Sequence, residues 1–145
     1  NRVLIWKLSL DAAVRSPWLG WGLGSYPDVY SLNQPPEITQ PNDKAHSTPL
    51  ELLVELGFPG GIAAMLLGLI PWFACLRGAW RRHDRWLPAT AFAVATVPIL
   101  HSLIDFSLQI PAIAFMTSAF LGLGWAHTFP YSPPDEEDRS FTADA

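Results

Sequence analysis

The sequence predicts an all-α fold: a fragment of a polytopic integral membrane protein with about three transmembrane helices and a helical loop outside the membrane. Half of the 145 residues are hydrophobic and only 15% are charged, well below the roughly 25% of soluble domains. Three long runs contain no Asp, Glu, Lys or Arg: Leu56–Leu76, Trp86–Ile104 and Phe106–Phe129. A helix of about 20 such residues crosses a hydrocarbon core of roughly 30 Å. A soluble core could bury one run, but three in succession are typical of a membrane protein.

The composition divides the chain into three regions. Residues 1–47 form a mixed polar loop with an amphipathic helix, and residues 130–145 form a tail of Pro, Ser and acidic residues that we expect to be disordered. The region between them, 48–129, holds the predicted spans, at about 48–76, 86–104 and 106–127. The chain begins with Asn and lacks the features of a signal peptide, which predicts a C-terminal piece of a longer protein.

Basic residues predict the orientation of these spans. The short stretch "RGAWRRHDR", residues 77–85, contains four of the nine Lys and Arg residues. The positive-inside rule places such a loop in the cytoplasm. Residues 1–47 and the turn Asp105–Pro111 are then extracytoplasmic, in the periplasm of a bacterium, and the tail is cytoplasmic. We therefore expect a multi-pass protein of the bacterial inner membrane.

The first helix is predicted within "NRVLIWKLSLDAAVRSPW". Three charged residues share one stripe, where opposite charges can pair: Lys7, Asp11 and Arg15. The opposite, apolar side is predicted to contain Val3, Trp6, Leu10 and Ala13. Arg2 lies with the apolar side, where a cation is costly unless an anion meets it. The alternative is that Arg2 lies at a frayed end and reaches water or lipid phosphate.

A turn follows in "SPWLGWGLGSY", residues 16–26. Its glycines permit tight backbone turns: Gly20, Gly22 and Gly24. Its aromatic residues suit a membrane interface: Trp18, Trp21 and Tyr26. A dinucleotide fingerprint would need a further glycine and a preceding strand, so we expect no nucleotide cofactor. Residues 28–42 are Pro-rich and polar, a loop that could cover a site.

Several motifs then occur in a specific order. An Arg opens a helix with a Trp four residues on, and "PWLGWGLGS" fits P-x-x-G-x-G-x-G. After a variable loop, "HSTPLELLVELG" from His46 to Gly57 fits H-S-x-x-L-x-x-x-x-x-x-G, and "HSLIDFSLQIPA" follows at residues 101–112. Over residues 1–127 the chain resembles the C-terminal part of the O-antigen ligase and polymerase superfamily of bacterial envelope membrane proteins.

This resemblance implies transfer of a glycan from an undecaprenyl diphosphate carrier to a hydroxyl acceptor at the periplasmic face. The acceptor would be lipid A-core in a ligase, another glycan in a polymerase, or a protein Ser or Thr in an O-oligosaccharyltransferase. The resemblance implies no nucleotide sugar, no metal and no nucleic-acid partner, and membrane lipid surrounds the enzyme. By matching position, Arg2 would bind the diphosphate and His46 would act near the acceptor hydroxyl.

The residue types suit these tasks. A guanidinium offers a fixed fork of donors and a permanent charge for the diphosphate of the donor, and Lys44 could add a second charge. An imidazole can accept the proton of the acceptor hydroxyl. Ser47 or Thr48 could cap the helix that follows. The predicted catalytic residues are His46 and Arg2, and the predicted substrate-binding residues are Arg2, Lys44, Ser47 and Glu51, without a metal ligand set.

Further acidic residues leave alternatives open. Glu51 and Glu55 could form an acid/base couple, but like charges at this spacing repel. We therefore favour separate roles for the two residues. Glu51 is expected to be solvated or salt-bridged, and Glu55 is expected to pair with an arginine from a span outside this chain. Asp105 lies with His101 at or near the second outer turn, and an ionisable residue at membrane depth is a candidate functional residue. The favoured alternative is structural: Asp105 caps a helix or pairs across helices. Cys75, the only cysteine, can form neither an intrachain disulfide nor a metal cluster.

Two other classes of protein remain compatible with the sequence. In a flippase or transporter subunit for lipid-linked glycans, Arg2 and His46 would only bind anionic lipid. In a non-catalytic membrane scaffold, the outer loop would dock a partner.

Overall fold

The computed structural model describes residues 2–34, 44–81 and 85–129, and this part of the chain contains helices and no strand. The five α-helices are α1 (Arg2–Arg15), α2 (Tyr26–Asn33), α3 (Thr48–Arg81), α4 (Trp86–His101) and α5 (Pro111–Ala126). A short 3-10 helix, Ser107–Gln109, lies between α4 and α5. The all-α prediction is confirmed for these residues. The predicted tail, residues 130–145, lies outside them, as do residues 82–84 of the basic loop and most of the predicted covering loop.

Helix α1 buries a different face from the one predicted. Its buried residues are Ile5, Ser9, Ala12 and Ala13. Two of the four residues predicted to pack are exposed, since Val3 is 62% and Leu10 48% accessible. The reason is a polar contact that helical periodicity cannot show. The Ser9 hydroxyl and the Tyr26 hydroxyl are 2.8 Å apart, and Ser9 Oγ also donates to the Ile5 carbonyl at 2.8 Å. The polar Ser9 therefore faces inward.

Helix α2 replaces the first part of the loop predicted at residues 28–42. Pro27 lies in its first turn, where a proline costs no helical hydrogen bond. Tyr26 and Tyr30 are buried and stack with ring centroids 6.1 Å apart. The interfacial position predicted for Tyr26 is therefore wrong, because its ring is enclosed by α1 and α3 and its hydroxyl is satisfied by Ser9. Trp18, in contrast, is exposed.

Helix α3 is broken at Gly57, whose backbone has φ 71° and ψ 177°. The residues around the break exchange backbone hydrogen bonds with the glycine turn. The Trp21 N–H donates to the Val54 carbonyl at 3.0 Å and the Gly22 N–H to the Glu55 carbonyl at 2.9 Å. The Phe58 N–H donates to the Pro17 carbonyl at 2.7 Å. The groups released by the break are thus satisfied by the turn, as buried backbone groups require.

The apolar helices end at other residues than predicted. Helix α3 continues to Arg81 rather than ending at 76, and it is the one helix of the described residues that is long and apolar enough to cross a membrane. Helices α4 and α5 have 16 residues each, about 24 Å of helix. The predicted spans 86–104 and 106–127 extend too far into their connection, because that segment forms a 3-10 turn and Pro111 begins α5. The number of membrane spans stays a prediction.

Two apolar clusters share α3. The first joins α1, α2 and the start of α3, and it contains Ile5, Ala12, Ala13, Tyr26, Val29, Tyr30, Ala45 and Val54. The second joins α3, α4 and α5 through Cys75, Ala91, Ala95 and Leu121. Small residues allow this close approach, since a Cβ at Gly124 would collide with the Cβ of Ala91. The packing brings the end of α4 to the start of α3, where the Thr48 N–H donates to the Ser102 carbonyl at 2.9 Å.

Candidate active site

His46 lies just before α3 in a backbone conformation that is rare for a residue with a side chain. Its φ is 50°, in the left-handed region, which costs about 1–2 kcal/mol for an L-residue. Both neighbours are fixed: Ala45 and Ser47 are buried, and the Ala45 N–H donates to Glu51 Oε2 at 3.3 Å. The Ser47 carbonyl accepts the Glu51 N–H at 3.1 Å. The imidazole is therefore turned outward between two anchored residues, and such strain often accompanies a functional side chain.

The imidazole faces Asp105, which comes from the connection after α4. His46 Nδ1 and Asp105 Oδ1 are 3.4 Å apart, and both side chains are about one-quarter exposed. Asp105 Oδ1 also accepts the Phe106 backbone N–H at 2.9 Å. That N–H, followed by the contact with His46, lowers the pKa of Asp105 from its ordinary value. The His46 ring packs at a tilt against the Phe106 ring, with centroids 5.6 Å apart.

Arg2 belongs to the same electrostatic environment. Its positive charge is a further cause of the lowered pKa of Asp105, so the two charges lie within interaction range of each other. Arg2 is exposed, which leaves its guanidinium able to contact a ligand.

Lys44 and Glu51 form an ion pair beside His46. Lys44 Nζ lies 3.4 Å from Glu51 Oε1, so the salt-bridged alternative for Glu51 is the one that the structure shows. Glu51 is buried, whereas the Lys44 side chain is about one-third exposed. Through its two oxygens Glu51 contacts Lys44 and the Ala45 N–H, so it ties the loop before α3 to the helix.

Glu55 finds a partner within the chain. Its Oε1 accepts the backbone N–H of Tyr26 at 3.4 Å, where an arginine from another span was expected. Burial raises the pKa of Tyr26 to about 12, although its hydrogen bond with Ser9 acts in the opposite direction. The Tyr26 hydroxyl therefore stays neutral and structural, and the start of α2 is fixed against α3.

Two further residues predicted near the site form no hydrogen bond with the imidazole within the described residues. Ser47 is buried, so its side chain does not face solvent. His101 contacts Ser107 and not Asp105. The basic residues of the chain predict that His46 and Asp105 share the extracytoplasmic side, but no sequence pattern pairs the two. The shared side of the membrane was all that the sequence could indicate. The structure was needed to show that Asp105, and not His101, contacts His46.

Two cavities adjoin the start of α3. One of about 330 Å³ is lined by Leu23, Gly24, Lys44, Thr48, Glu51, Leu52, Glu55 and Gln109. The other, of about 220 Å³, lies between α3, α4 and the 3-10 turn and is mostly apolar. Thr48 and Leu52 line both. Within the described residues, no three His, Cys, Asp or Glu side chains are grouped as a metal site would require.

Comparison with protein families matches the first part of the chain. Residues 1–65 match the Wzy_C family, O-antigen ligase. The match confirms the predicted resemblance over the segment from α1 to the first half of α3. Comparison with curated proteins found no match, and comparison with solved structures found none.

The matched segment, residues 1–65, contains most of the site. It supplies Arg2, Lys44, His46 and Glu51, and it includes both the glycine turn and the break in α3. Asp105 lies beyond the matched residues. The site is thus completed by a part of the chain that folds back against the matched segment.

Proposed function

We propose that this chain is part of an enzyme that transfers a glycan from an undecaprenyl diphosphate carrier to a hydroxyl acceptor at the periplasmic face of the bacterial inner membrane. The match of residues 1–65 to the O-antigen ligase family supports glycan transfer of the ligase or polymerase kind. The observation that carries the proposal is the contact between His46 Nδ1 and Asp105 Oδ1. It places a carboxylate where it can orient the imidazole and stabilise its protonated form.

His46 acts as the general base. Asp105 is ionised and can only accept, so the Nδ1 hydrogen points to the carboxylate and Nε2 keeps its lone pair. As the acceptor oxygen forms its bond to the anomeric carbon, Nε2 takes the hydroxyl proton. The imidazolium that results is stabilised by the Asp105 carboxylate beside it.

Arg2 acts on the leaving group. The bond between the anomeric carbon and the phosphate oxygen breaks, and the electron pair leaves with the undecaprenyl diphosphate. A guanidinium matches the geometry of phosphate oxygens and neutralises the growing charge. Lys44, the second cation predicted for this task, is instead paired with Glu51 and takes no part in this step. Because the donor already carries a good leaving group, the proposed reaction uses neither a nucleotide sugar nor a metal.

The apolar surface supports a membrane location for the enzyme. Large apolar side chains on three helices are exposed in this chain, among them Leu66, Leu67, Phe73, Val97 and Phe115. Exposed apolar areas of this extent are rare in soluble monomers. Arg77 and Arg81 lie at the other end of α3 from His46, which supports a cytoplasmic position for that end and a periplasmic one for the site.

Replacing His46 by Ala in the full-length protein tests the proposal. We expect glycan transfer to fall by about 10²- to 10⁴-fold, the usual contribution of a general base, while the lipid-linked donor still binds. His101→Ala is the matched control, because His101 is an exposed histidine near the same end of the helices that contacts Ser107. Donor that accumulates in the cytoplasmic leaflet would instead indicate a flippase. Unchanged transfer and unchanged donor distribution would indicate a scaffold.

The acceptor class is a separate question with its own readout. Deletion of the full-length gene should remove long chains from lipid A-core, remove free polymer, or leave periplasmic proteins unglycosylated. Gels of envelope polysaccharide and periplasmic glycoproteins distinguish a ligase, a polymerase and a protein transferase in this order.

A further inference from the structure

The cavity of about 330 Å³ beside α3 has no role in the mechanism above. Its lining comes from three separate segments: the glycine turn, the loop and first turns of α3, and the 3-10 helix before α5. Its size lies at the lower end of the range of small-molecule sites. Thr48 lines it two residues after His46, so a ligand in this cavity lies close to the proposed base.

The polar groups of the cavity are suited to hydroxyls rather than to anions. Glu51 and Glu55 are each 7% exposed, and both line the cavity. Lys44 compensates one of these charges through its contact with Glu51. Two carboxylates and one ammonium leave a net charge of −1 on the lining, which opposes a second anion. The diphosphate of the donor would therefore not lie here.

Gln109 adds an unsatisfied group. Its Oε1 is buried and has no hydrogen-bond partner in the described chain, although a buried carbonyl of this kind costs about 1–3 kcal/mol without one. The final torsion of a glutamine is broad, so a small rotation would present the amide to the cavity. An incoming hydroxyl could then donate the missing hydrogen bond.

We propose that this cavity binds an uncharged sugar ring of the glycan substrate, with Glu51, Glu55 and Gln109 accepting hydrogen bonds from its hydroxyls. The inference rests on the proposed glycan transfer and adds a subsite to it. Lys44 donates to the ring from the loop, and the apolar Leu23 and Leu52 contact its C–H face. The neighbouring apolar cavity, which shares Thr48 and Leu52, continues from the sugar toward the lipid side.

The test measures sugar binding by the full-length protein in detergent, separately from transfer. The probes are glucose, galactose, N-acetylglucosamine and the anionic glucuronic acid, observed by saturation-transfer NMR. We expect at least one uncharged sugar to bind and glucuronic acid to bind more weakly. Gln109→Leu should weaken that binding about fivefold, as expected for one lost hydrogen bond. This variant removes no protein hydrogen bond of Gln109 Oε1, so the fold should tolerate it.

Two further variants complete the design. Glu55→Gln should also weaken binding of the uncharged sugar, and a thermal melt verifies that the variant is folded. Asp11→Asn, an exposed carboxylate on α1 outside the cavity, should bind like the wild type. The inference is overturned if no uncharged sugar binds, if glucuronic acid binds as well as the others, or if Gln109→Leu and Glu55→Gln both bind normally. Full transfer activity in His46→Ala would instead overturn the proposed base, and sugar binding would still be measured independently.

Discussion

At the scale of single residues, the site depends on a histidine that cannot move freely. The left-handed backbone of His46 directs its ring away from the buried loop, and the anchored neighbours Ala45 and Ser47 hold that direction. Asp105 and the Phe106 ring then limit where the imidazole can lie. Such restraint is what a general base needs, because a misplaced base transfers protons poorly.

Asp105→Asn is the sharpest test of this arrangement. The change keeps the size of the side chain and removes the charge that orients and stabilises the imidazole. We expect a loss of up to about 10⁴-fold in kcat, the loss found when the aspartate that orients the histidine of a Ser-His-Asp triad becomes asparagine. Binding of the lipid-linked donor, measured on the same purified protein, should change much less.

The pH dependence of the same pair has a definite sign. The pKa of Asp105 is lowered, chiefly by the Phe106 N–H, so the ionised form is favoured in the folded protein. The contribution of this carboxylate is present above its ordinary pKa and is lost only as pH falls through the lowered value. The Asp105 carboxyl carbon, followed by 13C NMR in selectively labelled protein, should therefore keep the chemical shift of the ionised form from neutrality to about pH 5. A change to the protonated form within this range would contradict the assignment.

At the scale of elements, the glycine turn and the break in α3 form one unit. Gly20 and Gly57 have positive φ values, and the two backbones touch. A Cβ at Gly57 would lie 2.7 Å from the Trp18 carbonyl, and a Cβ at Gly20 would collide with the Glu55 carbonyl. Their contact sets the angle at which the start of α3, with Glu51 and Glu55, meets α1.

Gly57→Ala should disrupt this unit. With φ 71° and ψ 177°, Gly57 lies in a backbone region almost restricted to glycine, which costs about 1–3 kcal/mol for another residue, and the clash with Trp18 adds to it. We expect lower thermal stability in detergent, followed by intrinsic tryptophan fluorescence, and reduced glycan transfer, because the loop that carries His46 is attached to the same part of α3.

Substitutions at two other glycines separate the backbone cost from the cost of the clash with Trp18. Gly22 has a positive φ, but nothing lies within 4 Å of a Cβ built there. Gly22→Ala should therefore lower the thermal stability by the backbone cost alone. Gly122→Ala lies in α5 with open space around it and should stabilise by up to about 1 kcal/mol. Equal melting temperatures for Gly57→Ala and Gly22→Ala would show that the close contact with Trp18 is unimportant.

The helices also show which features a sequence can predict. Long charge-free runs predicted the three apolar helices, because composition reflects the surroundings of a whole helix. The ends of α4 and α5 were missed since the 3-10 turn between them is itself apolar, although Pro111 was a usable start signal. The buried face of α1 could not be found from periodicity, because Ser9 faces inward to meet Tyr26, 17 positions away.

At the scale of the whole molecule, the site is a product of folding rather than of any local motif. The residues Arg2 and His46 could be assigned from motifs within the first third of the chain, and the family match covers both. Asp105 joins them only because α4 packs along α3 and returns its end to Thr48. A separation of 59 residues between His46 and Asp105 carries no local signal, so predicted topology could place the two residues on one side but could not pair them.

The proposed orientation of the molecule in the membrane can be tested with two engineered cysteines in the full-length protein. Ser31 is exposed on α2 near the site, and Trp80 is exposed near the other end of α3. A membrane-impermeant maleimide should label Ser31→Cys in intact spheroplasts but Trp80→Cys only after permeabilisation, since α3 separates the two by the length of a membrane-spanning helix. All cysteines of the full-length protein except Cys75 are first removed. Cys75 is buried, so it should remain unlabelled, and the protein with Cys75 alone measures the background labelling. Labelling of Trp80→Cys in intact spheroplasts, with protection of Ser31→Cys, would place His46 in the cytoplasm and exclude transfer at the periplasmic face.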